Sequence, residues 1–402
     1  MILLYIAALL LLLEILLILT VKGLRKNFQW LITEADEYPE LDKKGLHKFF
    51  NSSYDPELGW VRKPNTTGTE RGQKGEITFQ IDSFGARQNP HPVSTNEIAA
   101  FGDSYVFARQ VEDNETWEAQ LSAMLNRGVM NFGVGNYGAD QGLIRYERTK
   151  LPEDITIAIL GFVPETICRV HSYWKHYLEF GNTFAFKPRF RLTKNNELEL
   201  LENPIKTPMH FNRLDEIIPE VRKKDEFYER KFRSVQFRFP YLVSYFRNPK
   251  RNANIIGALT RREVKNLFGP VSSKIKNLPF RQIMKYNIKG SHEMYGEEKS
   301  KLLLKKIIQR FQEKASQRGH KPLILVMPQL LDLELTTGKK APYQEFYKEF
   351  KNEIDVIDMT PIFKEMRFRE LYIDDQYGGH LSKKGNKIVA EEIKKWYQKN
   401  KP

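Results

Sequence analysis

Ser104 closes the run Ile98-Ala99-Ala100-Phe101-Gly102-Asp103-Ser104. The apolar residues suit a buried parallel strand, and Gly102 permits a sharp turn after it. The residues beyond suit a helix. In an open α/β sheet, ligands and chemistry gather at the carboxyl ends of the strands. Ser104 is therefore placed to act as a nucleophile if a base reaches it. A second stretch, Asn131-Phe132-Gly133-Val134-Gly135-Asn136-Tyr137-Gly138-Ala139-Asp140-Gln141, reads as another strand end opening into a glycine-rich loop. Such a loop either aims backbone N–H groups at a developing oxyanion or is simply a tight turn. No metal set is visible. His171, Trp174 and His176 have no third ligand at useful spacing and are expected as packing and rim residues. The single cysteine, Cys168, excludes an internal disulfide framework and a thiolate metal cluster.

These residues need a frame, and the hydrophobic pattern supplies one. Trp117, Leu121 and Leu125, spaced i, i+4, i+8, predict a helix over 116–125. Apolar runs predict strands over 155–160, 322–327 and 354–358. Between them, Leu302, Leu303, Ile307, Ile308 and Phe311 form the stripe of a long amphipathic helix over 297–318. A shorter helix is predicted over 343–350. Ser382 can cap a last helix whose buried stripe is Ile388, Val389, Ile393 and Trp396. This alternation of helix and strand argues a parallel sheet with helices on both faces. Ile77 to Ile81 alternates as a strand and 83–86 reads as a turn. Residues 50–95 form a β-rich lead-in that either packs on the main domain or covers the mouth of the site.

The 402 residues are 41% hydrophobic and 28% charged, ordinary for globular chains, with a formal charge of +14. That surface favours anionic partners. No phosphate loop, zinc spacing or RNP-like motif accompanies it, so no nucleic-acid partner is expected. Residues 2–21 are almost all Leu, Ile and Ala, enough for a helix across a bilayer core about 30 Å thick. Glu14 is the one charge in that run. The leucines and isoleucines outweigh its insertion cost of roughly 3 kcal/mol. A cleaved signal peptide would need a basic n-region and a small-residue cleavage site, and neither is present. The expectation is a single-pass, uncleaved membrane anchor, with Glu14 facing a partner helix. Lys22, Arg25 and Lys26 follow the span, and the positive-inside bias favours the cytoplasmic side for the domain; large domains can override that bias, so the side stays open.

The ordered blocks resemble the SGNH/GDSL hydrolase superfamily. Gly102-Asp103-Ser104 is similar to its first block, Asn131 to Gln141 to its second, and Gly379-His380 within Ile373 to Asn386 to its fourth. The resemblance implies a three-layer α/β/α sandwich of flavodoxin-like type. It implies Ser104 as nucleophile, His380 as base, and the N–H groups of Ser104, Asn136 and Gly135 as oxyanion hole. The family acid stands three residues before the histidine, where this chain has Tyr377. Asp375, with Asp374 as fallback, is the expected carboxylate. The third block departs: Pro164-Glu165 stands where the family has Asn-Asp. Glu165 either points away, is protonated, or leaves a hole of backbone donors alone. Asp103, Asn131 and Glu165 are expected around the pocket.

The resemblance covers about 98–165 and 297–400. The anchor and flank (1–26), the lead-in (27–95) and an insertion (171–296) lie outside it, and the domain parts are taken as 96–170 and 297–402. In the insertion, 184–202 reads as a hairpin and 215–233 as a charged helix interrupted near Pro219. Aromatic and basic residues interleave over 237–262. They either pack as a small helical cap or meet a membrane surface, an anionic glycan or a partner. The expected activity is serine esterase or acyltransferase chemistry on an acyl ester, such as an O-acetylated glycan, with no cofactor. The competing expectations are a catalytically weak or inactive accessory protein of a surface-polysaccharide pathway and, as a third class, a lipid-active thioesterase or phospholipase that would prefer long acyl chains over acetyl.

Overall fold

In the computed structural model the chain is described except for residues 29–31, 33–38, 73–74, 180, 351, 374–378 and 401–402 and the side chains of Ser273 and Lys274. It begins in helix α1 (Ile2–Phe28), the one described helix long and apolar enough to cross a membrane. Beyond it, five parallel strands form one sheet: β1 (Asn96–Gly102), β2 (Gly128–Gly133), β3 (Ile157–Phe162), β4 (Lys321–Val326) and β5 (Asp355–Asp358). Their order is β5-β4-β3-β1-β2.

A parallel sheet is stable only with both faces covered, and alternate residues of each strand serve the two faces. Ile98, Ala100, Ile157, Ile159, Leu323 and Leu325 pack on one side, against α2 (Trp117–Leu125) and the C-terminal helix Lys383–Asn400. Ala99, Phe101, Ala158, Leu160, Ile324 and Val326 pack on the other. They meet α3 (Ala139–Arg148) and α4 (Glu298–Gln317), whose Leu304, Ile307 and Phe311 are fully buried. The chain is thus a three-layer α/β/α sandwich, as the resemblance implies.

The path leaves β1 in one direction for β2 and returns past it to β3. The carboxyl ends of β1 and β3 therefore flank a crevice that no crossover covers, the usual ligand site of such sheets. Three glycines lie in register there: Gly133 pairs with Gly102, and Gly102 with Gly161. The row lets the loop after β1 lie flat on the sheet. A Cβ on Gly133 would stand 2.1 Å from the Phe107 nitrogen. Gly102 has φ +153°, and a Cβ there would stand 1.8 Å from the Gly161 carbonyl oxygen.

The lead-in packs on the domain. Its hairpin, Thr66–Gly72 with Gly75–Ile81, is joined to the β2 edge through Arg87, which bridges to Ile81 and Asn131. The predicted hairpin of the insertion pairs Arg189–Leu192 with Leu198–Leu201. The expected interruption at Pro219 is not there: the helix Leu214–Lys224 runs through it. Ile218 and Val221 are buried on either side of the proline, and their packing offsets the missing N–H bond. The break comes at Asp225 instead, where the carboxylate accepts the N–H groups of Tyr173, Trp174 and Phe227. His171, Trp174 and His176 are buried packing residues, with the Trp174 ring stacked on Phe186 at 4.6 Å.

The structure gives Glu14 partners within the chain. Its carboxyl oxygens accept the N–H groups of Tyr241 and Leu242 in this chain's own insertion, at 2.5 and 2.8 Å. The residues are 227 positions apart, so only the folded chain discloses the pairing.

Candidate active site

Ser104 follows β1 by two residues, and its Oγ lies 3.1 Å from His380 Nε2. The two reach each other through different supports. Asp103 fixes the serine loop: one carboxyl oxygen accepts Tyr105 N–H at 2.8 Å and the other Val163 N–H at 2.9 Å. Those bonds tie the end of β1 to the end of β3. The histidine comes from the segment before the last helix. Ile373 N–H donates to the His380 carbonyl at 2.8 Å, and Tyr105 O–H to the Gly379 carbonyl at 2.8 Å. Tyr105 thus links the two loops, and its own carbonyl accepts Trp117 Nε1–H at 3.2 Å.

The other ring nitrogen, His380 Nδ1, lies 2.8 Å from Gln110 Oε1. The Gln110 amide nitrogen donates to the Arg71 carbonyl at 3.1 Å, which fixes the oxygen toward the ring. An amide oxygen only accepts. Nδ1 must then carry the proton, leaving Nε2 bare toward the serine hydroxyl. Burial, reinforced by the positive charges of Arg109 and Arg169, holds the His380 pKa well below the ordinary histidine value. The ring is therefore neutral at physiological pH and able to accept the Ser104 proton. Gln110 was not among the expected residues. The expected carboxylates Asp375 and Asp374 lie outside the described residues.

Ser104, Asn136 and His380 share a cavity of about 720 Å³. Asn136 has φ +70°, a conformation asparagine tolerates better than most residues. The N–H groups of Ser104 and Asn136 meet no acceptor among the described residues; nor does that of Gly135, which lines the neighbouring pocket beside Trp60 rather than this cavity. Unpaired N–H groups at a strand end form a ready cradle for a negative oxygen. Gly135 is held by its carbonyl, which accepts Trp60 Nε1–H at 2.9 Å.

Asp103, Asn131 and Glu165 lie beneath the cavity rather than on its wall. Asn131 accepts Gly133 N–H at 2.9 Å. Arg169 sits between the two acids, 3.3 Å from Asp103 and 2.8 Å from Glu165. Burial raises the Asp103 pKa, with Arg169 opposing. Glu165 is thereby held in an ion pair, which answers how a carboxylate fits the third block: it points at Arg169. Toward the insertion the cavity is lined by Asn248, Arg251, Phe280, Ile283 and Met284. Burial lowers the Arg251 pKa to about 10, so it stays charged at neutral pH. Its one described hydrogen bond runs to Asn252 at 3.1 Å.

No family model matches the chain, and no curated protein matches it. Among solved structures, a G-D-S-L family protein from Desulfitobacterium hafniense DCB-2, classed as lipolytic, aligns at 14% identity. The alignment covers 75% of this chain and 99% of that one, with a TM-score of 0.33. A second solved structure aligns at 12% identity over 77% and 98% of the two chains, with a TM-score of 0.34. Overlaps this loose carry no argument, and the site rests on its own geometry.

Proposed function

We propose that this chain is a membrane-anchored serine esterase or acyltransferase. The carrying observation is the 3.1 Å approach of Ser104 Oγ to His380 Nε2 beside unpaired N–H groups in one cavity. Ser104 Oγ attacks the ester carbonyl carbon while Nε2 takes its proton. The oxyanion is received by the N–H groups of Ser104 and Asn136. The C–O bond to the leaving alcohol breaks as His380 returns the proton to it, leaving an acyl-serine. Water or a sugar hydroxyl, deprotonated by the same nitrogen, then attacks the acyl carbon and frees the serine. An O-acetylated glycan suits this chemistry. The expected result is covalent labelling of the full chain by a fluorophosphonate, absent in Ser104→Ala. A chain that stays unlabelled at every pH tested overturns the reading. It would favour an accessory binding protein, to which the ion-paired Glu165 and the neutral Gln110 beside the histidine also speak.

Two further outcomes follow from the geometry. A general base must be neutral, so the acid limb of kcat/KM is expected below the ordinary histidine pKa. In Gln110→Glu a carboxylate beside Nδ1 favours the imidazolium, and that limb moves to higher pH. A pH–rate profile of both proteins checks the sign. Arg251 offers its charge to a negative group on the substrate. Arg251→Ala should raise KM for an anionic acetyl ester about tenfold or more, from a charged hydrogen bond worth about 1.5–3 kcal/mol. The KM for a neutral ester should hold.

A further inference from the structure

The insertion carries two apolar patches left exposed among the described residues. Val243 and Phe246 lie on the helix Tyr241–Arg247 and Phe239 just before it, with Phe239 77% and Phe246 67% exposed. Val264, Leu267 and Phe268 form the second, with Leu267 82% and Phe268 88% exposed. Both belong to the helical pair Tyr241–Arg247 and Pro249–Leu267 and its flanks, the elements that pack on α1. Val21, Leu24 and Phe28 of α1 share a buried cluster with Phe237, Tyr241, Ile255 and Leu259. Arg262 lies over the Phe28 ring at 4.6 Å, and Asn27 donates to Glu263 at 3.3 Å.

The register of this packing sets a depth. Glu14 precedes Val21, the last residue before the basic flank, by seven positions. At about 1.5 Å per residue it sits about 10 Å inside that flank along the helix. Tyr241 and Leu242 bond to Glu14, so they lie at the same level. Where lipid replaces water, free helix N-terminal N–H groups are costly and need an acceptor. The Glu14 carboxyl supplies one to each, which also explains a carboxyl in an otherwise apolar span.

We infer that residues 239–247 are a second membrane-contact surface, seated in the bilayer beside α1 by Glu14, with Phe239, Val243 and Phe246 as the lipid-facing groups; Val264, Leu267 and Phe268 follow Glu263, which meets Asn27 past the basic flank, and lie outside it. The occupant is the bilayer the anchor crosses: the patch is continuous with α1, and basic residues Arg247 and Lys250 accompany it, as in interfacial helices. Ile283 lines the cavity and also packs on the anchor cluster. The cavity wall is therefore continuous with the membrane-seated elements. If the esterase reading holds, this places the acyl ester on an amphiphile taken from the bilayer surface.

The test uses the full chain in phosphatidylcholine–phosphatidylglycerol vesicles. A nitrobenzoxadiazole label is placed through Val243→Cys or Phe246→Cys, with Asn195→Cys at the hairpin tip as aqueous control; native Cys168 is buried. Doxyl lipids are expected to quench positions 243 and 246 at least threefold more than 195, and iodide to quench 195 alone. Iodide quenching at 243 and 246 equal to that at 195 overturns the inference. So does shielding from both quenchers, which marks a protein partner or a second copy. Glu14→Leu should lose lipid quenching at 246 while the chain stays in the vesicles; unchanged quenching refutes the seating role. None of these readouts needs activity, so a chain that fails to react with fluorophosphonate can still pass, and one that reacts can still fail.

Discussion

If the chain is the proposed esterase, the expected result of His380→Ala is a kcat for hydrolysis of a small acetyl ester lowered roughly 10⁴-fold or more, with KM little changed. Members of a nucleophile–base unit contribute only together, and losing one costs about as much as losing all. Nε2 is the one base within hydrogen-bond reach of Ser104 Oγ among the described residues. The double variant Ser104→Ala/His380→Ala should therefore be no slower than either single variant. Steady-state rates of the three proteins in one detergent decide it. A loss under tenfold in His380→Ala, or additive losses in the pair, would show that the imidazole is not the proton acceptor. Fluorophosphonate labelling of Ser104 should slow in parallel, since that reaction needs the same deprotonation.

The frame of this site was legible in the sequence because burial writes a strong pattern. Apolar runs at 98–101, 155–160 and 322–327 had to be strands covered on both faces. The i, i+4, i+8 spacing of Trp117, Leu121 and Leu125 had to be a helix lying on them. Ser104 was legible because Gly102 follows such a run. Gln110 was not: a neutral amide with φ +70° in an irregular loop has no periodicity or motif. Its role appears only when the loop, the Arg71 carbonyl and a ring 270 positions away converge. Asp103, Asn131 and Glu165 were read as pocket residues because they adjoin the site in sequence. Adjacency does not fix the side. Each turns below the cavity, where buried polar groups must find partners, and finds Val163 N–H, Gly133 N–H and Arg169 respectively. Glu14 shows the same limit, since the cost of a carboxyl in an apolar span could be read but its acceptor role could not.

The glycine row is where fold and chemistry meet, and it supports the second large effect. Gly102→Ala forces a methyl to within 1.8 Å of the Gly161 carbonyl oxygen at φ +153°. Overpacking costs about 1–3 kcal/mol, and the backbone conformation adds about 1–3 kcal/mol for a residue with a Cβ. Relief requires β1 and β3 to part at the level where Asp103 ties their ends together. The expected result is a loss of about 3 kcal/mol or more in stability, with fluorophosphonate reactivity down at least 10²-fold in whatever folds. A displacement of about 1 Å is enough for that, because the serine must meet both Nε2 and the N–H cradle. Gly257→Ala is the control. Nothing lies within 4 Å of a Cβ there, and the residue is inside a helix. It should be neutral or more stable by about 0.5–1 kcal/mol, with reactivity intact. Thermal unfolding in detergent and labelling rates measure both. If Gly102→Ala matches Gly257→Ala in reactivity, the close seating of the serine loop on β1 and β3 is not what positions Ser104.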